Sequence, residues 1–407
     1  MNRKEQETLE IAIIGAGASG LVLATRFAQK IGGKKVGLIE KNDRVGKKLL
    51  STGNGQCNFA NATLSSDNFY GENPTFVNNI IDKYGVKELI EFYSNLGVMP
   101  LLDGDKYYPY SKQASSVVDA FRFKLQSLNV IEYLGVNVID IKRENDVFKL
   151  VGKDGFSLYA KRVVLAVGGK SSAFLGSDGN SYSLYQKFGH TITNLYPSLV
   201  QLKCDSKCIR GLKGLKQKVK ITAHSSLSKQ SVGDVLFTDY GLSGNAVFSV
   251  SPCFAGEKGY LEIDFCPSID ECELLNFLNL KAQNCDYLGA EYLFSGIVNT
   301  KIASAILKNS GFNLSQKISS VNLKNAVQVI KNYKIEVLST MGFDNSQVTR
   351  GGLKTCEFDE KTLESKLQSG LYATGEVLDV DGDCGGYNLQ WAFSSACAVC
   401  EDVLRKI

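Results

Sequence analysis

The sequence predicts an α/β fold in which a parallel-sheet domain is interrupted by an inserted, mostly antiparallel β domain that carries a small helical part. Three observations predict it. A strand–helix–strand pattern opens the chain over residues 10–40, alternating segments follow between about 196 and 342, and a buried strand and a helix return after 370. Strand–helix–strand units form parallel sheets, whereas alternation is typical of half-buried antiparallel strands. The predicted segments are therefore 1–195, 196–342 and 343–407, with the first and last forming one domain.

The first unit combines a short apolar strand with a glycine-rich turn and a helix. Residues 10–14 are followed directly by Gly15-Ala-Gly17-Ala-Ser-Gly20. In this G-x-G-x-x-G motif Gly15 allows the tight turn, Gly17 lets the backbone approach a pyrophosphate, and Gly20 lets the helix pack near the sheet. The N–H groups and the positive end of the helix dipole then face the phosphates. The motif predicts a Rossmann-like, dinucleotide-binding domain.

The second strand ends at Glu40, twenty residues after Gly20, where a carboxylate can bind both hydroxyls of a ribose. The basic residues that follow it could indicate the 2′-phosphate of NADP, but Glu40 would repel that phosphate. A nicotinamide dehydrogenase would also have a second mononucleotide unit directly downstream, and the long loop at 41–61 is found there instead. These features favour FAD as the bound dinucleotide, as does the C-terminal part of the chain.

Three further segments resemble one family. The loop Gly46–Asn61 is similar to the pattern G-x-K-L-x-x-T-G-G-G-R-C-N-x-T-N, a second segment extends from Leu165 to Val200, and the third comprises Gly370–Gly382 and Gly385–Ser395. Together they resemble the BaiN/YhiN-like bacterial flavoproteins over nearly the whole chain. The resemblance implies a Rossmann-like FAD-binding domain built from both ends of the chain, and an FAD-dependent oxidoreductase with NAD(P)H as electron donor.

The resemblance also implies where FAD binds. The strand at 371–374 would lead to the ribityl chain and pyrophosphate, the helix opened by Gly385–Asn388 would face the flavin N1 and O2 edge, and the strand around Val138 would offer backbone groups to the adenine. A positive helix end stabilises the negative charge of reduced flavin. With the glycine motif and Glu40, the implied cofactor-binding residues are Gly15, Gly17, Ala18, Ser19, Gly20, Glu40, Lys41, Lys48, Leu49, Thr52, Gly53, Cys57, Asn58, Val138, Ala166, Gly168, Gly169, Gly375, Glu376, Asp381, Gly385, Gly386, Tyr387, Asn388 and Leu389.

The chain departs from the family pattern at three places. Asn54 replaces a loop glycine, Gln56 replaces the loop arginine, and Ser172-Ala173 replaces an aromatic–proline pair. We expect cofactor binding to survive these changes, and substrate preference or flavin potential to differ from those of relatives.

The eleven cysteines have no framework spacing, so we expect free or buried thiols in a reducing compartment. Cys57 would lie beside the flavin but lacks a nearby partner for dithiol exchange, and Cys397 and Cys400 lie inside a predicted helix, so packing roles are expected. Cys204 and Cys208 have no second ligand pair at metal spacing. We assign no catalytic residue and no metal ligand.

The composition and charge of the chain indicate which classes of partner to expect. The net charge of +4 is small for 407 residues and shows no basic cluster, so we expect no nucleic-acid partner. The polar N-terminus and the lack of a long apolar run predict a soluble, cytoplasmic protein without a membrane segment.

The predicted activity is hydride transfer from NAD(P)H through flavin N5 to an unidentified small organic acceptor. The alternatives are a flavin oxidase or monooxygenase, a flavin-dependent RNA-modifying protein and a flavin sensor without turnover. The sequence leaves open the oligomeric state and the choice between NADH and NADPH.

Overall fold

A computed structural model describes residues 8–407, and its chain forms two compact units. One unit contains the residues up to Leu195 together with Gln347–Ile407, and the other contains Tyr196–Ser346. The insertion therefore ends at 346, compared with 342 in the prediction.

The strands and helices follow one another along the chain in three blocks. Before the insertion they are β1 (Leu9–Ile14), α1 (Ala18–Ile31), β2 (Val36–Glu40), β3 (Ala60–Asn61), β4 (Phe69–Tyr70), α2 (Asn78–Lys83), α3 (Val86–Asn95), β5 (Pro100–Asp103), β6 (Lys106–Pro109), α4 (Ala114–Ser127), β7 (Ile131–Leu134), β8 (Val138–Glu144), β9 (Val147–Gly152), β10 (Ser157–Leu165) and α5 (Tyr182–Gln186). In the insertion they are β11 (Tyr196–Ser198), β12 (Leu202–Cys204), α6 (Ser206–Ile209), β13 (Lys216–His224), β14 (Ser228–Phe237), β15 (Gly241–Ser243), α7 (Asn245–Val250), β16 (Gly259–Asp264), α8 (Glu271–Asn284), α9 (Thr300–Asn309), α10 (Leu323–Lys331) and β17 (Tyr333–Thr340). After it they are β18 (Val348–Arg350), β19 (Leu371–Ala373), β20 (Asp381–Gly382) and α11 (Tyr387–Arg405).

The main sheet of the first unit has the order β7-β2-β1-β10-β9-β8, with β19 also paired to β10. Strands β7, β2, β1, β10 and β19 pair in parallel, whereas β8, β9 and the first half of β10 are antiparallel. Strands β1, β2, β19 and the second half of β10 are buried on both faces, which explains their continuous apolar sequences, whereas the edge strand β7 is partly exposed. The predicted Rossmann-like α/β fold is confirmed.

The continuous apolar segment Arg162–Val167 predicts a strand that starts at 162. Strand β10 begins five residues earlier, at Ser157. Residues Ser157–Ala160 pair with β9, whereas Val163–Leu165 pair with β19 on the same edge. The first half alternates in polarity because one face is only partly covered, so a search for a continuous apolar segment misses it.

The second unit contains a closed barrel with the order β12-β15-β14-β13-β16-β17, in which all pairs are antiparallel. On β13, Val219 and Ile221 are fully buried, whereas Lys216 and Lys218 are exposed. The alternation in the sequence therefore marks the inner and outer faces of the barrel.

Helices α8, α9 and α10 form the helical part of the second unit. The sequence predicts helices at Asp270–Ala282 and Asn322–Lys331, and α8 and α10 lie there. They begin after Asp270 and Asn322, whose cap side chains accept hydrogen bonds from the backbone N–H of Glu273 and Asn325. Helix α9 was not predicted, although Asn299 caps it in the same way.

All eleven cysteines are free thiols. Within residues 8–407, none of the helices combines the length and the apolar character that crossing a membrane requires. The same residues contain no group of three or more His, Cys, Asp or Glu side chains that could hold a metal ion.

Candidate cofactor site

The three glycines of the first motif have different surroundings. Gly15 has φ of +100°, and a Cβ there would lie 2.4 Å from the Ala166 carbonyl oxygen. A Cβ on Gly20 would lie 1.9 Å from the Gly15 carbonyl oxygen. For Gly17, no atom of the described residues other than its chain neighbours lies within 4 Å of that position. Gly15 and Gly20 are thus required by close packing, and Gly17 borders open space.

Gly17 is the N-cap of α1, and no side chain caps this helix. The first N–H groups of a helix, here those of Ala18 and Ser19, have no intrahelical acceptor. Together with the open space at Gly17, they form a cradle that can accept an oxyanion. Ser19 also lies against Gly375, where a Cβ would be 3.1 Å from the Ser19 hydroxyl oxygen.

Glu40 ends β2 beside this cradle and is 8% exposed. Its Oε2 accepts a hydrogen bond from the Ala16 N–H (2.8 Å), and its Oε1 accepts from the backbone N–H (2.9 Å) and side-chain amide (2.7 Å) of Asn42. These bonds fix the position of the carboxylate at the end of the strand, where its oxygens can accept hydrogen bonds from ribose hydroxyls.

Two further predicted residues lie close to Glu40. The Lys41 ammonium forms an ion pair with Asp178 at 2.9 Å. Val138 begins β8, two residues after Val136, whose N–H donates to the Glu40 carbonyl oxygen at 2.9 Å. The chain at 136–138 therefore passes the carboxyl end of β2, where the adenine was expected.

Glu376 joins residues from distant parts of the sequence. Its Oε2 accepts a hydrogen bond from the Lys48 ammonium at 2.8 Å, and its Oε1 accepts from the Thr349 N–H at 2.8 Å. Gly168 and Gly169 pass close by, since a Cβ on Gly169 would lie 2.9 Å from Glu376 Oε1. The structure thus brings together the ends of β10 and β19 and the loop after β2.

The loop after Lys48 has an unusual backbone. Leu49 is buried, the Thr52 hydroxyl donates to the Leu49 carbonyl oxygen at 2.7 Å, and Gly53 and Cys57 have φ of +57° and +58°. The side-chain amide of Asn58 donates to the carbonyl oxygens of Ala60 (2.9 Å) and Tyr107 (3.0 Å). These side chains fix the loop, so the groups left to face a ligand are mainly those of the backbone.

Cys57 is fully buried in this loop. Burial raises the pKa of its thiol to about 12, although a hydrogen bond with Thr52 opposes this. Since the thiolate is the nucleophilic form, Cys57 is an unreactive thiol at neutral pH. Burial likewise raises the pKa of Cys397 to about 12 and that of Cys400 well above its usual value.

The N-terminus of α11 packs on β3. Gly385 and Gly386 have φ of +127° and +102°, and a Cβ on Gly386 would lie 2.5 Å from the Ala60 carbonyl oxygen. The Asn61 amide donates to the Gly385 carbonyl oxygen at 3.0 Å. The Tyr387 hydroxyl lies 3.0 Å from that of Thr63. The contacts of Ala60 and Asn61 connect the loop at 49–61 with the start of the last helix. These are the two segments expected to enclose the flavin ring.

Asn388, Asp381 and Leu389 support the same turn from inside the protein. The Asn388 amide accepts from the Gly382 N–H at 2.8 Å and donates to the Gly382 carbonyl oxygen at 2.8 Å. Asp381 is 1% exposed and pairs with Arg350, whose Nε lies 3.2 Å from Asp381 Oδ1. Leu389 packs against the core. Helix α11 is also tied to β19, because the Trp391 indole N–H donates to the Gly375 carbonyl oxygen at 3.2 Å.

Three buried hydroxyl groups near these residues were missed by the sequence. The side-chain oxygens of Ser177, Tyr182 and Thr374 have no hydrogen-bond partner among the described residues. Ser177 and Tyr182 lie within the second family-like segment, which was the available signal, but the sequence does not reveal that their hydroxyls are buried and unsatisfied. The open cradle at Gly17 and these hydroxyls fit a ligand with many oxygen atoms, as FAD has.

Comparison with known proteins identifies relatives along the whole chain. Residues 9–402 match the family described as HI0933-like protein Rossmann domain. The chain is 36% identical over 397 residues to a 3-dehydro-bile acid delta(4,6)-reductase of Clostridium scindens, which covers 95% of this chain and 96% of the relative. It is 30% identical over 404 residues to a ribosomal RNA dihydrouridine synthase of Haemophilus influenzae, which covers 98% and 99%.

Solved structures share the fold at low sequence identity. An Escherichia coli quinol fumarate reductase, FrdA, has a TM-score of 0.51 and 13% identity, with 98% of this chain and 70% of the other covered. A 3-ketosteroid delta1-dehydrogenase from Sterolibacterium denitrificans has a TM-score of 0.50 and 11% identity, with 98% and 100% covered.

Proposed function

Because the chain belongs to the HI0933-like family, we propose that it is an FAD-dependent oxidoreductase that transfers hydride from NAD(P)H through flavin N5 to a small organic acceptor. We further propose that the acceptor contains a carbon–carbon double bond conjugated to a carbonyl group. The observation that supports this class of acceptor is that the names of two relatives describe chemically similar reactions. One name describes reduction of double bonds in a 3-dehydro bile acid, and the other describes formation of dihydrouridine from uridine, whose ring double bond adjoins a carbonyl.

The chain's own groups would bind and orient the cofactor. When bound, FAD supplies the hydride-transfer chemistry. The N–H groups at the start of α1 and the space at Gly17 would hold the pyrophosphate, and Glu40 would bind the ribose hydroxyls. The N-terminus of α11 would lie at the flavin ring, where its positive end stabilises negative charge on the reduced ring.

The charge of the barrel's outer face favours a small molecule over RNA. The Lys216 ammonium on β13 pairs with Asp234 at 2.8 Å, and that of Lys213, three residues before β13, pairs with Asp239 at 2.7 Å. RNA binding draws on basic groups that can neutralise phosphates. Since carboxylates already neutralise these two lysines, they are less available to the phosphates of an RNA. The relatives named as RNA-modifying enzymes nevertheless make RNA the second candidate.

The test follows the flavin absorbance of the purified protein without oxygen. We expect a yellow protein that NADH or NADPH bleaches, and whose colour returns when a steroid with a 3-oxo-4-ene group is added. A ribosomal RNA transcript is the matched second acceptor, with dihydrouridine measured by mass spectrometry. Colour return with RNA alone would replace the small-molecule proposal by the RNA one. Colour return with oxygen alone would identify an oxidase, and failure of both nicotinamides to bleach the flavin would refute the donor.

A further inference from the structure

Two buried hydroxyls beside Glu376 lack a partner within the described part of the chain. Ser177 and Tyr182 are each 4% exposed, and neither side-chain oxygen has a hydrogen-bond partner there. Buried hydroxyl groups are nearly always hydrogen-bonded in folded proteins, because burying one without a partner is unfavourable. Two such groups within six residues of each other therefore indicate a partner that the protein itself does not supply.

The Ser177 hydroxyl lies beside Gly168 at the end of β10. A Cβ on Gly168 would lie 3.1 Å from the Ser177 hydroxyl oxygen and 4.0 Å from Glu376 Oε2, so these two groups border the same point. Burial raises the pKa of Tyr182 far above its ordinary value, and the carboxylates of Glu376 and Asp379 raise it further. The Tyr182 hydroxyl consequently keeps its proton and can donate it in a hydrogen bond.

A second tyrosine on the same short helix provides an internal comparison. Tyr185 is fully buried, and its hydroxyl donates to the Tyr372 carbonyl oxygen at 3.1 Å. The fold thus satisfies one tyrosine of α5 and leaves the other unsatisfied. Because residues three apart lie on the same face of a helix, the difference lies in what each hydroxyl meets: Tyr185 reaches a backbone carbonyl oxygen, whereas Tyr182 is buried near the charge of Glu376.

We propose that Ser177 and Tyr182 are cofactor-binding residues whose hydroxyls donate hydrogen bonds to oxygen atoms of the ribityl–pyrophosphate chain of FAD. This inference rests on the proposed function only in taking FAD as the ligand. It adds two hydroxyl donors to the N–H groups of the glycine cradle and the accepting carboxylate of Glu40. The added donors would lie on the side of the cofactor bordered by Gly168 and Glu376.

The experiment compares the holoenzyme with the variants Y182F, S177A and Y185F. Each holoenzyme is diluted, and the FAD dissociation constant is obtained from the fluorescence of released flavin. We expect Y182F and S177A each to raise the dissociation constant about 3- to 10-fold, the range for one lost hydrogen bond. Y185F should leave it within about twofold and instead lower the unfolding temperature, since it removes a bond made inside the protein.

Unchanged FAD affinity in both Y182F and S177A would overturn the inference. Circular dichroism confirms that each variant is folded, and S177A, the smaller change, serves if Y182F does not fold. The outcome is separable from that of the proposed function. Weaker FAD binding in Y182F and S177A would support the role of these two residues in binding FAD, even if no nicotinamide bleaches the flavin. Bleaching of the flavin together with unchanged FAD affinity in both variants would support the proposed activity alone.

Discussion

Helices α1 and α11 both begin at glycines, but the space beside those glycines differs. At α1, Gly17 faces a region that no described residue outside its chain neighbours fills, whereas at α11 a Cβ on Gly386 would meet the Ala60 carbonyl oxygen at 2.5 Å. The carboxylates differ as well. Glu40 near α1 is held by N–H groups, and Asp381 near α11 is paired with the cation Arg350. A glycine at a helix N-terminus can therefore make room for a ligand or for the protein itself.

The largest expected effect is at the ion pair beside α11. Replacing Arg350 by Met (R350M) should lower the free energy of unfolding by about 3 kcal/mol, because it removes the cation from a carboxylate that is 1% exposed. Chemical denaturation measures this. K83M is the control, since Lys83 pairs with Glu401 while 54% of the lysine side chain is exposed, and such pairs contribute little. Equal effects of the two substitutions would show that the buried pair contributes no more to the free energy of unfolding than the exposed pair does.

The substitution G386A comes next, with an expected loss of about 2 to 3 kcal/mol in the free energy of unfolding. The added methyl group meets backbone, and φ of +102° is unfavourable for alanine. G104A separates these two causes, because Gly104 also has a positive φ, +60°, but no described atom beyond its neighbours lies within 4 Å of its Cβ position. If G386A costs no more than G104A, the contact with Ala60 is unimportant and the contrast between the helices disappears.

The smallest effect on stability is expected for G17A, which should change the free energy of unfolding by less than about 1 kcal/mol. Its φ of −80° suits alanine, and the methyl group has space. The FAD dissociation constant should nevertheless rise at least about 10-fold, because the methyl group occupies the space where a pyrophosphate would approach. Unfolding by urea and release of flavin fluorescence measure the two quantities. Unchanged FAD affinity would show that Gly17 does not face the cofactor.

The sequence predicted the glycine-rich turns and buried strands well, because these depend on local backbone geometry and on hydrophobic pattern. The sequence did not predict helix α9, although Asn299 caps it, because the helix follows an irregular segment. The sequence indicated which residues lie near the cofactor, but it did not indicate the hydrogen-bond partner of each side chain. The Asn58 amide donates to the carbonyl oxygen of Tyr107, far away in the chain, while the Tyr182 hydroxyl has no hydrogen-bond partner among the described residues. Such partners are determined by tertiary contacts between residues distant in the chain, which a local pattern does not specify.

Helix α11, formed by Tyr387–Arg405, packs against α1, and β19 pairs with β10, so residues from the end of the chain complete a sheet begun at its start. During synthesis the ribosome therefore releases the whole barrel before this sheet can be finished. FAD would therefore be acquired only after β19 and α11 have been synthesised, and a product truncated before α11 would be unable to retain it.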